Sequence, residues 1–396
     1  MSRLIKERLF TPGPTALLPQ AMAAMAAMHQ HHRTAEFRQL LRGTLDRLRA
    51  FLQTRQEVLL LSSSGTGAME AALANLLSPG ERVLVLSAGK FGERWEKMAA
   101  AFGLEVVQKR LPYGESFQAA DIQPLLGAGN GLAAVLWQAT ESSTGVAHDT
   151  ASLARAVRSA GSDALLIVDG ITGIGTSELD PDAWDLDVLI GGSQKAVMVP
   201  PGLAYLSVSE RAWKRMEKGV CPRFYFDLRR ERAAQAQGET AFTPATALVA
   251  ALEAALRYIE QLGGRPALTA NAQFLAATTR RAAQALGLQR FGHGTPAGAL
   301  TAISAPTGMD SSVIVKGLRQ RFGAIVANGQ GEMKGQLFRI AHLGYYDFAE
   351  TIGLIAQLEL VLAEAGWLDP AKLGAGVRAA QEYWLQSAAQ PAAATV

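Results

Sequence analysis

A chain of 396 residues, 49% apolar and 18% charged, has the length for two or three packed units and the composition of a folded protein; a small binding module and a disordered chain are both excluded. Lys plus Arg number 38 and Asp plus Glu 35, a net charge of +3 spread along the chain, which argues against a nucleic-acid partner that would need a concentrated basic face. The single cysteine, Cys221, forms neither an internal disulfide nor a multi-cysteine metal site, and Met1 to Phe10 lacks the apolar core of a signal peptide; with no segment apolar enough to span a membrane, a soluble protein of the reducing cytoplasm is expected.

Taken in chain order, Thr11-Pro12-Gly13-Pro14-Thr15 must be an irregular turn, because two prolines flank a glycine. A helical Ala/Met stretch follows from Ala21 to Met28, and Phe37, Leu40, Leu41, Leu45, Leu48 and Leu52 recur at the spacing of an amphipathic helix. From Val58 to Val208 short apolar runs alternate with helical segments. Strands are predicted at Val58 to Leu61, Arg82 to Leu86, Ala133 to Trp137, Leu165 to Val168, Val188 to Ile190 and Leu203 to Val208. Such alternation implies a mostly parallel sheet with helices on both faces.

Near Pro244 the pattern changes to a long helix from about Ala247 to Leu262, stopped by Gly263-Gly264. Strands at Leu300 to Ile303, Ala324 to Val326 and Leu337 to Ile340, with helices around Ser311 to Gln320 and Phe348 to Ala365, predict a smaller α+β layer. The expected organisation is an N-terminal arm (1–20), a large domain (21–250), a small C-terminal domain (251–385) and a flexible tail (386–396) rich in alanine and proline.

Two residues stand where such a sheet puts its chemistry, at the carboxyl ends of strands. Lys195, in Gly191-Gly192-Ser193-Gln194-Lys195, sits in a tight uncharged turn before Pro200-Pro201-Gly202, a setting in which an amine loses its proton and attacks a carbonyl. Asp169 ends its apolar run and precedes Gly170. A carboxylate there keeps a pyridine nitrogen protonated; the alternatives are a helix N-cap, or a metal ligand without His or Cys partners.

Ser62-Ser63-Ser64-Gly65-Thr66-Gly67 joins a strand to the predicted helix Ala68 to Leu77, whose free amides suit a phosphate. The third glycine of a dinucleotide fingerprint would fall at position 70, where the chain has Glu70, and no P-loop lysine follows. Arg339 interrupts the apolar strand Leu337-Phe338-Arg339-Ile340, a costly arrangement unless a carboxylate meets it or the strand lies at a wet edge.

Five motifs, Thr11-Pro12-Gly13-Pro14, Ser64 to Glu70, Glu141-Ser142-Ser143-Thr144-Gly145, Val168-Asp169-Gly170 and Gly192-Ser193-Gln194-Lys195, occur in an order that resembles the class V aminotransferases of fold-type I, specifically the alanine/serine–glyoxylate group, over nearly the whole chain. The resemblance implies a pyridoxal-phosphate (PLP) dependent transaminase, an α/β fold with a large, mostly parallel sheet domain sandwiched by helices and a smaller α+β domain, and a homodimer sharing its sites across the interface.

Residue by residue, Lys195 looks like the Schiff-base lysine and Asp169 like the partner of the pyridine nitrogen. Gly65, Thr66 and Gln194 match phosphate contacts, Phe91 the aromatic that stacks on the ring where many relatives have tryptophan, and Ser142 a position near the ring hydroxyl. Thr243 resembles the threonine donated to the partner's phosphate. Arg339 matches the carboxylate-binding arginine, with Gly13 adding a backbone contact, and His32-Arg33 is a weaker match at the mouth of the site, with Arg33 a candidate for substrate selection.

The substrates so implied are a small L-amino acid, alanine or serine, and glyoxylate or pyruvate, with a ping-pong mechanism. The rivals are an aspartate or phosphoserine preference, a lyase or desulfurase, for which Cys221 lies too near Lys195 and lacks activating neighbours, and a non-catalytic subunit of the kind labelled hydrogenase-associated.

Overall fold

The computed structural model describes residues 4–127 and 131–388. Seven strands make the central sheet: β1 (Glu57–Leu61), β2 (Arg82–Ser87), β3 (Glu105–Arg110), β4 (Leu132–Gln138), β5 (Leu165–Asp169), β6 (Val188–Gly192) and β7 (Ala204–Val208). Their order is β1-β7-β6-β5-β4-β2-β3, and only β7 runs against its neighbours.

The period of two along each strand builds two cores. Leu84, Leu86, Val135, Trp137, Leu166 and Val168 enter the core on one face, while Val83, Val85, Ala134, Leu136, Leu165 and Ile167 enter the other. Each fully buried Leu, Ile or Val contributes roughly 1.5–3 kcal/mol of transfer free energy, which explains why these strands read as unbroken apolar runs. Strand β3 was not anticipated. Its sequence, EVVQKR, is the polar, partly exposed pattern of a sheet edge, where charge discourages pairing with another chain.

Helices α1 (Ala35–Leu52), α2 (Gly65–Leu76) and α3 (Lys90–Ala101) lie against this sheet, and α4 (Thr246–Gln261) packs on α1. The second begins at Gly65, three residues before the predicted start. Val249, Leu252, Leu256 and Ile259 of α4 join the same core as α1, so the whole helix goes with the large unit and is not cut at residue 250. Gly263 and Gly264, at φ 105° and 76°, turn the chain directly into α5 (Gly264–Ala285), a helix that the mixed pattern there did not announce.

Beyond it, β8 (Leu300–Ser304), β9 (Ala327–Asn328) and β10 (Leu337–Ala341) form an antiparallel sheet in the order β8-β10-β9. It is packed with α5, α6 (Ser311–Phe322) and α7 (Phe348–Glu364). The predicted strand Ala324 to Val326 divides. Ala324–Ile325 pairs in parallel with Arg8–Leu9 of the N-terminal arm, and Phe10 is buried in the small-unit core. The arm is thereby pinned, and the turn that follows it reaches the end of the large sheet. A final helix, α8 (Ala375–Ala388), extends into the segment expected as a tail from residue 386; the rest of that tail lies outside the described residues. No helix among the described residues is long and apolar enough to cross a membrane.

Candidate active site

Strands β5 and β6 are adjacent and parallel, so the segments leaving their carboxyl ends meet. Asp169 is the last residue of β5, and Lys195 sits in the turn after β6. Ser193 fixes that turn: its hydroxyl donates to the Pro200 carbonyl at 2.7 Å and accepts from the Leu203 amide at 3.2 Å. Both side chains wall one cavity of about 240 Å³ together with Gly13, Gly65, Thr66, Phe91 and Gln194, so seven of the expected residues come together here.

Each wall has a local cause. At Gly13 a Cβ would stand 2.5 Å from the Lys195 Nζ, and Lys195 donates to the Pro12 carbonyl, so the pinned arm closes one side of the cavity with backbone. At Gly65 a Cβ would stand 2.2 Å from Ile171 Cδ1, which makes glycine the residue that lets α2 begin so close to the sheet. Among the described residues nothing accepts from the Gly65 and Thr66 amides, so two donors and the positive end of the helix face the cavity. The Gln194 side-chain oxygen is buried without a partner, and its amide can present either end to a ligand.

The electrostatics follow from burial. Desolvation pulls the Lys195 ammonium from 10.5 down to about 8, assisted by the positive charges of Arg339 and Arg94 and opposed by Asp169. Desolvation likewise pushes the Asp169 carboxyl from 3.8 up to about 6, against a 2.9 Å hydrogen bond from the Ile171 amide and the charges of Arg94 and Lys195. A raised carboxyl contributes stability below the unfolded value of 3.8 and loses it as pH rises through about 6, so above that range ionised Asp169 costs roughly 3 kcal/mol. Asp169→Asn is therefore expected to stabilise the cofactor-free protein by up to about that amount at pH 8 and by little at pH 4. Urea denaturation at the two pH values checks this; equal midpoints for variant and parent at pH 8 contradict it.

Arg339 lies beside the cavity without forming its wall. It is 4% exposed, and its guanidinium donates to the Asn328 carbonyl from Nε at 3.2 Å and Nη2 at 2.7 Å, and to the Ser142 carbonyl from Nη1 at 2.9 Å. Burial lowers its pKa to about 10, with Glu141 opposing, so the group remains a cation at neutral pH. It makes no ion pair among the described residues. Ser142 thus presents its carbonyl to Arg339, and its buried side chain is not part of the cavity wall.

Thr243 and Arg33 are not brought to Lys195 within this chain. Thr243 walls a separate cavity with Tyr225 and Phe242, beside the exposed Phe224. That cavity abuts the turn before α2, since the Ala245 amide donates to Ser62 Oγ at 3.0 Å. Arg33 is an exposed side chain paired with Glu239 at 3.3 Å, and the His32 ring lies tilted against that of His31. The Cys221 thiol is buried and its pKa raised by that burial, the opposite of an activated thiolate.

Two residues escaped the reading of the sequence. Glu141, fully buried with its carboxyl pushed up by desolvation, accepts from the Phe91 and Gly92 amides at 3.1 Å each and so caps α3 from the short strand Thr140–Glu141. Gly89 leaves it room, because a Cβ there would stand 2.4 Å from the Glu141 carboxyl carbon. Arg94, one turn into α3, walls the cavity beside Phe91. The signal for Glu141 was its place in the Glu-Ser-Ser-Thr-Gly run, whereas an arginine on an amphipathic helix carries no signal of its own.

The family described as Aminotransferase class-V matches residues 10–338. The soluble hydrogenase small subunit of Synechococcus sp. (strain PCC 6716) is 38% identical over 95% of this chain and 97% of its own. The L-aspartate–glyoxylate aminotransferase of Paracoccus denitrificans is 35% identical over 96% and 97%. The crystal structure of a subgroup IV aspartate aminotransferase from Thermus thermophilus superposes with a TM-score of 0.84 at 36% identity, covering 90% of this chain and 99% of that one. With the sheet, the lysine and the carboxylate all in place, the chain belongs to the class-V aminotransferase family, the PLP-dependent transaminases of fold-type I.

Proposed function

We propose that this transaminase binds PLP in the Lys195 cavity and moves an amino group from a small L-amino acid, alanine or serine, to glyoxylate or pyruvate in two half-reactions of a ping-pong cycle. The observation that carries the reading is the convergence, on one cavity, of an amine with a depressed pKa, a buried carboxylate and two free helix-start amides, with an unpaired arginine alongside. When bound, PLP supplies an aldehyde that takes an amine and a ring that accepts the electron pair of the Cα–H bond.

Each side chain then has a physical task. The amides of Gly65 and Thr66, with Gln194, hold the phosphate; Asp169 keeps the ring nitrogen protonated, and Phe91 packs on the ring face. Ser142, whose carbonyl accepts from Arg339, would act near the ring hydroxyl only through a shift of its side chain toward the cavity. Thr243 reaches the phosphate of a second copy, and the exposed Phe224 and Tyr225 beside it favour burial in a homodimer. Arg339 would take the substrate carboxylate and Gly13 would add a backbone contact, so that the substrate is oriented before reaction. Lys195, a buried amine with a depressed pKa, would hold and move the proton at the substrate Cα.

A small uncharged donor is favoured because Arg33, the arginine expected to select the substrate, is tied to Glu239. Aspartate is the second reading, favoured by what the Paracoccus and Thermus relatives are named for, and it requires a cation for the second carboxylate, either Arg33 released from Glu239 or Arg94, unpaired among the described residues. The name of the Synechococcus relative suggests a non-catalytic subunit, against which the intact Lys195, Asp169 and Arg339 stand. The test is a half-reaction screen that follows loss of the bound-cofactor band with alanine, serine, aspartate, glutamate and phosphoserine. Alanine or serine reacting fastest is expected; reaction with aspartate or phosphoserine alone rejects the donor assignment, and a protein that stays colourless with PLP rejects catalysis.

A further inference from the structure

Three charged side chains wall the Lys195 cavity: Asp169, Lys195 and Arg94. The proposed scheme uses the first two and leaves Arg94 without a task. Its guanidinium carbon lies 4.7 Å from the centre of the Phe91 ring, and Nη1 donates to Thr66 Oγ1 at 3.0 Å. The planar group is thus held between an aromatic face and the first turn of α2, on the side of the cavity where the Gly65 and Thr66 amides are free. It makes no ion pair with a carboxylate among the described residues; Asp169 acts on it only through its field.

A phosphate monoester carries a charge of about −1.5 to −2 at neutral pH, and taking it out of water demands compensation. The start of a helix offers only about half a positive charge. Lys195 acts as a neutral amine when it attacks an aldehyde and is then no counter-ion for the distant phosphate. Arg94 is the remaining cation on the wall, and its fork of donors suits paired phosphate oxygens. We propose that Arg94 is the counter-charge for the phosphate of the cofactor, held in readiness beside the phosphate-side turn by Thr66 and Phe91. The assignment rests on PLP being the ligand of this cavity and adds a phosphate contact that none of the sequence motifs marks.

The experiment compares two probes on the full-length, cofactor-depleted protein, PLP and pyridoxal, which differ only in the phosphate, with dissociation constants read from quenching of tryptophan fluorescence. Arg94→Gln is expected to weaken PLP binding about ten- to a hundredfold, the range for a charge-assisted hydrogen bond, while pyridoxal changes by less than about twofold. Arg94→Lys, which keeps the charge and loses the fork, is expected to restore part of the PLP affinity. Parallel losses for both probes in both variants would mean that Arg94 merely supports Phe91 and Thr66, and would overturn the proposal; so would unchanged PLP affinity in Arg94→Gln. Failure of the underlying reading is separable, because the parent protein would then bind PLP no better than pyridoxal and borohydride would leave Lys195 unlabelled.

Discussion

Lys195→Ala is expected to lose the borohydride-stable attachment of PLP completely and to lower transamination by about 10⁴-fold, the upper range for removal of a positioned proton-transfer group. The cost is large because two tasks depend on the same nitrogen. Burial brings its pKa to about 8, so near neutral pH a useful fraction is the uncharged nucleophile, and the cavity wall offers no other amine. Arginine is no substitute, since a guanidinium stays protonated. The fold is expected to survive, because alanine removes a desolvated ammonium that, among the described residues, hydrogen-bonds the Pro12 carbonyl alone. Reduction followed by peptide mapping is the check: a pyridoxyl label on a different lysine, or none in the parent protein, would sink the assignment of the site.

How far the chain could be read before its structure was seen depended on the physical origin of each feature. The strands that carry the site are buried on both faces, and burial on both faces leaves unbroken apolar runs such as Leu165 to Val168. Asp169 and Lys195 stood out because each follows such a run, and the parallel pairing of β5 and β6 then brings them to one end of the sheet. Strand β3 and helix α5 escaped for the opposite reason, since a partly solvated edge strand and a helix with arginines and threonines among its alanines have weak periodicity. The arm was legible as a turn, but its pairing with Ala324–Ile325, hundreds of residues away, is a tertiary contact with no local signature.

Within the site the division is similar. Gly13 and Gly65 could be named from motifs, yet the reasons they must be glycine, a lysine nitrogen in one case and an isoleucine methyl in the other, lie on distant segments. Glu141 and Arg94 take their significance from a helix start and a cavity wall that exist only once α3 has packed. Thr243 and Arg33 mark a different boundary. Both stand on surfaces of one chain, and a task at the active site would come to Thr243 only through a second copy, and to Arg33 only through breaking its pair with Glu239.

Arg339→Ala is expected to lower kcat/KM for the amino donor by about 10²–10³-fold, mostly through KM, while PLP binds with unchanged affinity. Three of the five N–H donors of the guanidinium are spent on the Asn328 and Ser142 carbonyls, so its plane is fixed before substrate arrives and two donors remain. A cation held at 4% exposure without an anion is poised to gain from a carboxylate, because its desolvation has already been met in folding. Lysine at this position keeps the charge but cannot hold both carbonyls and a carboxylate at once, so Arg339→Lys is expected to recover only a small part of the loss. The alanine variant also leaves the two carbonyls unpaired, a destabilisation of about 1–3 kcal/mol that denaturation will register separately from the kinetics. Steady-state kinetics with PLP titrated in parallel separates the possibilities: equal losses in substrate and cofactor binding would place the carboxylate site elsewhere, whereas a loss confined to the substrate ties it to the strand β10.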